Sequence, residues 1–305
     1  MDPIVRDLLT ALGGYDLCVS EFLRVTTHLL PDHIFYRLCP ELAQGGCTPS
    51  GVPVHLQLLG GDPICLAENA AKARWLGAPG IDLNFGCPAK TVNRHDGGAS
   101  LLKYPERIYQ ITSCVREALP ADCPLSAKIR LGYSDTLLLK EVTQALESAG
   151  TQWITLHART KEQGYRPPAH WDWLAKVREW ISIPLVANGD IWSREDFERC
   201  RSLSGCTDFM LGRGAFARPD LALQLRAAHD GVKSPNLDWT QICILLLKHG
   251  EKAAGQVNEV FALQRSKQWI KHLQRNYASA VGLFNQIKAY QKLDPILRAI
   301  RAELV

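Results

Sequence analysis

Seven short apolar, β-rich runs alternate with amphipathic helical stretches up to about residue 230, and a chain patterned this way buries its apolar faces as a parallel sheet covered by helices. The strands are expected at 17–20, 54–58, 81–84, 125–129, 153–157, 184–187 and 208–211. Helices are expected near 63–76, 105–118, 137–148, 171–180 and 194–203.

The polar residues decide between an open sheet and a closed one. Nearly every run ends in a polar residue or glycine at its C-terminal edge: Gln57, Asn84, Lys128 with Arg130, His157, Asn188 with Gly189, and Gly212 with Arg213. Chemistry collected at one rim from many strands belongs to a (β/α)8 TIM barrel. A doubly wound fold would instead carry a Gly-rich turn after its first strand, and none is found. Seven strands are one short of closure. The chain opens with an amphipathic stretch over 2–12, so the first strand of the barrel is expected to precede Met1, or the barrel is open at one seam.

Several classes are excluded by composition. The longest apolar run, residues 242–247, is far shorter than the roughly 20 residues of a membrane span, and no basic-then-apolar leader precedes the acidic Asp2 and Asp7. Ten cysteines are scattered without a C-x-x-C pair, which points to free thiols in a reducing cytoplasm and away from a metal site. The formal charge of +4 is unevenly placed. From Gln241 onward there are ten Lys and Arg against four Asp and Glu, a surplus of six, while the remainder has 25 against 27. A helical tail with this excess suggests a polyanion such as nucleic acid, or simply a solvated helix surface. The expected domains are a catalytic barrel over 1–237 and a helical domain over 238–305, working as a monomer.

Three constellations could carry chemistry. Asn84-Phe85-Gly86-Cys87-Pro88-Ala89-Lys90 leads from a strand into a glycine-containing loop at the active rim. A free thiol is mostly protonated at neutral pH, so Cys87 could donate a proton or, once activated, act as a nucleophile; the alternative is a buried structural cysteine. Val186-Ala187-Asn188-Gly189-Asp190 and Met210-Leu211-Gly212-Arg213-Gly214 form the last two strand-to-helix junctions, where barrels commonly bind phosphate. Lys128 and His157 end neighbouring strands and could face an electron-rich ring or a phosphate, or be satisfied rim residues. Gln57 has donor and acceptor capacity suited to a heterocycle edge.

In order, Val54-His55-Leu56-Gln57-Leu58-Leu59-Gly60, Asp82-Leu83-Asn84-Phe85-Gly86-Cys87-Pro88, Ala127-Lys128-Ile129-Arg130-Leu131-Gly132, Leu156-His157-Ala158-Arg159-Thr160, Ala187-Asn188-Gly189-Asp190 and Gly212-Arg213-Gly214 resemble the tRNA-dihydrouridine synthases over essentially the whole chain. The stretch 160–166 and Arg265-Ser266-Lys267-Gln268-Trp269 are most similar to the bacterial C subfamily, which modifies position 16 of the tRNA D-loop. The resemblance implies that Gln57, Lys128, His157, Asn188, Gly189, Asp190, Gly212 and Arg213 hold FMN, the last five around its phosphate. It implies NADPH as reductant, Cys87 as general acid, Asn84 on a flipped uracil, and tRNA contacts from Arg24, Arg265, Lys267 and Lys288. The family's Ala-Pro-Met element at the end of its first strand has no counterpart here. Two other readings follow from the same residues: a flavin barrel acting on a free pyrimidine, in the manner of dihydroorotate dehydrogenases, and an RNA-binding protein without turnover.

Overall fold

A computed structural model describes residues 1–233 and 236–304; Ser234 and Pro235, beside the expected domain boundary, and Val305, at the end of the expected helical domain, lie outside the described residues. The chain divides into two compact units. The first comprises Met1–Pro3, Asp16–Ile191 and Glu195–Met210, the second Ile4–Tyr15, Trp192–Arg194 and Leu211–Val305.

Every strand of the first unit pairs in parallel. The strands are β1 (Cys18–Val19), β2 (Leu23–Arg24), β3 (Val54–Leu59), β4 (Ile81–Asn84), β5 (Leu125–Arg130), β6 (Trp153–His157), β7 (Leu185–Asn188) and β8 (Asp208–Met210). Both β1 and β2 pair with β3, and β4 to β8 follow in chain order. The strand expected at 17–20 is β1, and the register shows how β2, which was not expected, follows it on the same edge of β3. Cys18 and Val19 face Val54 and His55, whereas Leu23 and Arg24 face Leu58 and Leu59, so residues 20–22 oppose only 56–57, a β-bulge. At the bulge the Ser20 hydroxyl accepts the Gln57 backbone N–H at 3.0 Å, doing the work of a ladder carbonyl. The sheet thus has seven positions, and among the described residues no pairing joins β8 to β1 or β2.

Alternation along the strands sorts the two faces. Leu56, Leu58, Leu83, Ala127, Ile129, Ile154, Leu156 and Ala187 are at most 1% exposed and share the face covered by helices such as Pro63–Trp75, Pro105–Ala118 and Leu139–Ser148. The other face carries His55, Gln57, Asp82, Asn84, Ser126, Lys128, Arg130, Thr155, His157 and Asn188. It is concave: His55 of β3 lies 5.5 Å, ring to ring, from Trp153 of β6, and Lys128 of β5 reaches Asn188 of β7 over β6. The barrel wall is apolar outside and polar inside.

The second unit is helical throughout its C-terminal run: Arg213–Ala217, Leu221–His229, Trp239–Gln256, Glu259–Leu273, Ala278–Ile287 and Leu293–Ala302. Asp238 and Gln241 form a reciprocal capping box at the start of Trp239–Gln256, and Asn258 caps the next helix through the Phe261 N–H, each satisfying an orphan donor of the first turn. Ile242, Leu246, Trp269, Ile270, Leu273, Leu283, Ile296 and Ile300 are buried between the helices. Gly250 permits a close approach there, since a Cβ at that position would lie 2.7 Å from Leu297 Cδ2.

Burial holds the His55 imidazole down at about 4, from an ordinary 6.5. A base whose folded value is depressed binds its proton first in the unfolded chain, so stability is lost as pH falls from 6.5 toward 4. This group contributes up to about 3 kcal/mol of that loss. Urea midpoints of the parent and His55→Asn at pH 7 and pH 4.5 check it: the variant's acid-induced loss is expected to be smaller, and equal losses would contradict it.

Candidate active site

The C-terminal ends of the strands bring most of the expected residues of the first unit to one rim. Register pairs Gln57 with Asp82, Asp82 with Ser126, Asn84 with Lys128, Arg130 with His157, and His157 with Asn188. In the layer below the rim, the Asp82 carboxylate is 1% exposed and accepts Ser126 Oγ–H and Gln57 Nε2–H, each at 2.6 Å. Burial pushes its carboxyl up from the ordinary range, and the bonds from Ser126 and Gln57 and the charge of Lys128 act the other way. Gln57 Oε1 in turn accepts Asn84 Nδ2–H at 2.8 Å, and Asn84 Oδ1 accepts the Gly86 N–H at 3.0 Å.

Lys128 donates to Asn188 Oδ1 at 3.2 Å, and Asn188 Nδ2 donates to the Met210 carbonyl at 2.8 Å. Desolvation, helped by the like charge of Arg130, lowers the Lys128 ammonium to about 8. Both Lys128 and Arg130 lie within electrostatic reach of Cys87. Gly189, at φ +118°, packs on His157: an added Cβ would stand 3.0 Å from the ring. Asp190 takes a left-handed φ of 54° and pairs with the fully buried Arg159, whose Nε donates to the Arg166 carbonyl at 2.6 Å.

Cys87 is half-buried and, like the other nine cysteines, free. Its loop is tied down around it. The Cys87 carbonyl accepts Asn93 Nδ2–H at 2.9 Å and the Ala99 N–H at 3.1 Å. Arg130, 3% exposed, donates to the Gly86 carbonyl at 2.8 Å and to the carbonyls of Thr160 and Gly164. It thereby fastens the cysteine loop to the loop after β6, with its guanidinium 5.3 Å from the Tyr165 ring. Gly98 has φ +61°, and a Cβ there would lie 2.9 Å from the Cys87 carbonyl and 3.0 Å from Cys87 Cβ.

In the second unit the Arg213 guanidinium stands over Trp192 at 4.9 Å, and Arg275 over the same indole at 4.2 Å. Nothing lies within 4 Å of where a Gly212 Cβ would be. Desolvation, followed by the charges of Arg213 and Lys271, lowers the His272 imidazole. The expected RNA contacts differ in their surroundings. Arg265 donates to Gln268 Oε1 at 2.9 Å, and the exposed Lys288 to Asn285 Oδ1 at 3.1 Å. Lys267 is half-buried and donates to the carbonyls of Lys288 and Tyr290, just past the end of Ala278–Ile287, so its charge already serves a helix C-terminus. Trp269 is core, donating to the Phe216 carbonyl at 3.1 Å. Arg24, in the first unit, is exposed on β2.

Sequence reasoning gave no role to Asp82, Ser126 and Arg159, and read Arg130 only as a rim residue. The available signal was their position: charged or hydroxyl side chains in or just after apolar parallel strands need a buried partner. Among the described residues no cluster of three His, Cys, Asp or Glu could hold a metal, and no helix is long and apolar enough to cross a membrane.

A polar-lined parallel barrel with a tethered thiol loop and a helical second unit defines a class of enzyme. The dihydrouridine synthase family model matches residues 1–302. The chain is 48% identical over 303 residues to tRNA-dihydrouridine(16) synthase of Pseudomonas putida, spanning 99% of this chain and 94% of that one. It is 44% identical to the protein of the same name from Shewanella oneidensis, over 98% and 94%. Among solved structures it is similar in fold to an old yellow enzyme homologue from Zymomonas mobilis, with a TM-score of 0.52, 12% identity, and 76% and 84% of the two chains covered. The chain belongs to the dihydrouridine synthase family, a family of flavin-dependent oxidoreductases.

Gly98→Ala is expected to displace Cys87, because the methyl meets the loop backbone and the residue must hold a left-handed φ, at a cost of about 1–3 kcal/mol. Reactivity of Cys87 toward an alkylating reagent, located by peptide mass spectrometry, checks this. A rate unchanged by the substitution would show that Gly98 does not shape the loop.

Proposed function

We propose that this chain is a tRNA-dihydrouridine synthase that uses FMN and NADPH to reduce a uridine of the D-loop at position 16, working in the cytoplasm. The observation that carries the reading is Cys87 tethered beside Asn84 and within the field of Lys128. Support for position 16 comes from the relatives named above. The residues suit FMN: cationic and neutral donors in Lys128, Gln57 and His157, a glycine at 189 where a Cβ would crowd the His157 ring at 3.0 Å, and Arg213 with Gly212 for the phosphate. Asn188, Gly189 and Asp190 complete the set.

Bound FMN, once reduced by NADPH, supplies the hydride that uracil C6 receives. This chain's residues do the rest. Asn84 orients the base, and the Cys87 S–H delivers the proton to C5, leaving a thiolate that the Lys128 cation stabilises. Arg130 holds the loop still while that proton moves. A base must leave the RNA stack to reach the rim at a cost of a few kcal/mol, which phosphate contacts offset. We assign those contacts to the helical domain 238–305, through Arg265, Lys267 and Lys288, and to Arg24 on the barrel.

Cys87→Ala is expected to keep bound flavin and NADPH oxidation but to lose dihydrouridine formation by at least about 100-fold, the usual worth of a general acid. Mass spectrometry of the tRNA beside the flavin absorbance measures both. A variant forming dihydrouridine at the parental rate would contradict the assignment. Arg213→Ala is expected to reduce flavin retention far more than tRNA affinity, since a phosphate pair is charge-assisted; equal flavin content in both proteins would place the phosphate elsewhere.

A further inference from the structure

Three hydrogen bonds run in series through the barrel interior, each donating in the same direction, and a fourth meets the carboxylate at their end. The Gly86 N–H donates to Asn84 Oδ1, Asn84 Nδ2 to Gln57 Oε1, and Gln57 Nε2 to Asp82 Oδ2, at 3.0, 2.8 and 2.6 Å. The fourth, from Ser126 Oγ–H, occupies the other carboxylate oxygen at 2.6 Å. The two ends of the relay differ in kind. A backbone N–H can only donate, and both Asp82 oxygens stand as acceptors, Oδ2 from Gln57 and Oδ1 from Ser126, while each amide between them has one donating and one accepting end. The two amides therefore fit one way. Turning either over sets N–H against N–H or oxygen against oxygen at both of its contacts.

This polarity decides what the rim offers. One Nδ2 hydrogen of Asn84 is spent on Gln57, and its oxygen is held by Gly86. The remaining Nδ2 hydrogen, on a residue that is half-exposed at the end of β4, is the group left for a ligand. Uracil shows carbonyl oxygens at C2 and C4, whereas cytosine shows an amino donor at C4.

We propose that Asp82 is a positioning residue that locks the Asn84 amide with its free N–H toward the substrate, so that Asn84 recognises a carbonyl oxygen of the pyrimidine and disfavours a base with a donor there. This rests on the uracil-reducing reading above and adds to it the polarity of the contact and the residue that sets it. No bond to Asp82 forms or breaks in the reaction. Ser126 serves the carboxylate and stands outside the relay.

The test couples Asp82 to one atom of the base. Single-turnover rates are measured with FMN-loaded, NADPH-reduced protein on tRNA transcripts carrying uridine, 4-thiouridine or 2-thiouridine at the reacting position, sulfur being a weaker acceptor than oxygen. Asn84→Ala, which has no donor, gives the baseline ratio of oxygen to sulfur substrate. For one of the two thio-substituted transcripts the parental ratio is expected to exceed that baseline by about three- to tenfold, the worth of one hydrogen bond. Asp82→Asn, whose amide lets the relay run either way, is expected to fall to the baseline ratio. Ser126→Ala should lower both rates and keep the parental ratio. A general loss of packing slows both substrates together and leaves the ratio alone. If Asp82→Asn does not fold with flavin, Gln57→Leu breaks the same relay and is read in the same way. A parental ratio retained in Asp82→Asn, or in Asn84→Ala, overturns the proposal. A parent that forms no dihydrouridine on the uridine transcript overturns instead the reading on which it rests.

Discussion

A carboxylate inside a barrel of parallel strands costs several kcal/mol unless donors reach its oxygens, and around Asp82 that requirement organises the concave face. Ser126 and Gln57 supply the donors from the flanking strands because register puts all three side by side. Gln57 then has its oxygen turned toward Asn84, and Asn84 its oxygen toward Gly86. One buried charge thus fixes side chains from β3 to the start of the cysteine loop. The apolar outer face of the same strands allows this, since the helices need nothing polar from the sheet.

The cysteine loop follows the same logic at the rim. Its backbone carbonyls would be mobile or wet, but Arg130 and Asn93 claim those of Gly86 and Cys87. Arg130 also claims two carbonyls after β6, so the loops after two strands are fastened to one side chain. Rigid support of this kind is what proton transfer at a fixed atom demands. In the second unit the comparable device is Lys267, whose ammonium closes the C-terminal carbonyls beyond Ala278–Ile287. Its substitution is thereby tied to helix packing as well as to any polyanion.

The strands and the rim were legible because parallel strands buried on both faces read as compact apolar runs, and Lys128, His157 and Asn188 stand at their ends. The break at Ser20 was not legible: a hydroxyl that replaces a carbonyl in the ladder leaves no mark on hydrophobic pattern. Nor was the work of Lys267, since a lysine between apolar positions of a helix looks the same whether it meets carbonyls or solvent. Trp269 stood in an element matched to the C subfamily and lies in the core, as apolar periodicity alone would have it. Asp82 was seen as part of a motif, although its place on the inward face with Asn84 two residues on marked it as a residue needing partners.

The central claim is that one rim, organised from Asp82 outward, reduces a single uridine of tRNA with Cys87 as acid. The direct measurement is to incubate an unmodified tRNA transcript with the purified flavin-loaded protein and NADPH, and to locate dihydrouridine by mass spectrometry of nuclease fragments. The account predicts one dihydrouridine, at position 16 of the D-loop, with NADPH consumed in equal amount. Flavin that turns over with no dihydrouridine in the RNA, or dihydrouridine at other positions with none at 16, would contradict it.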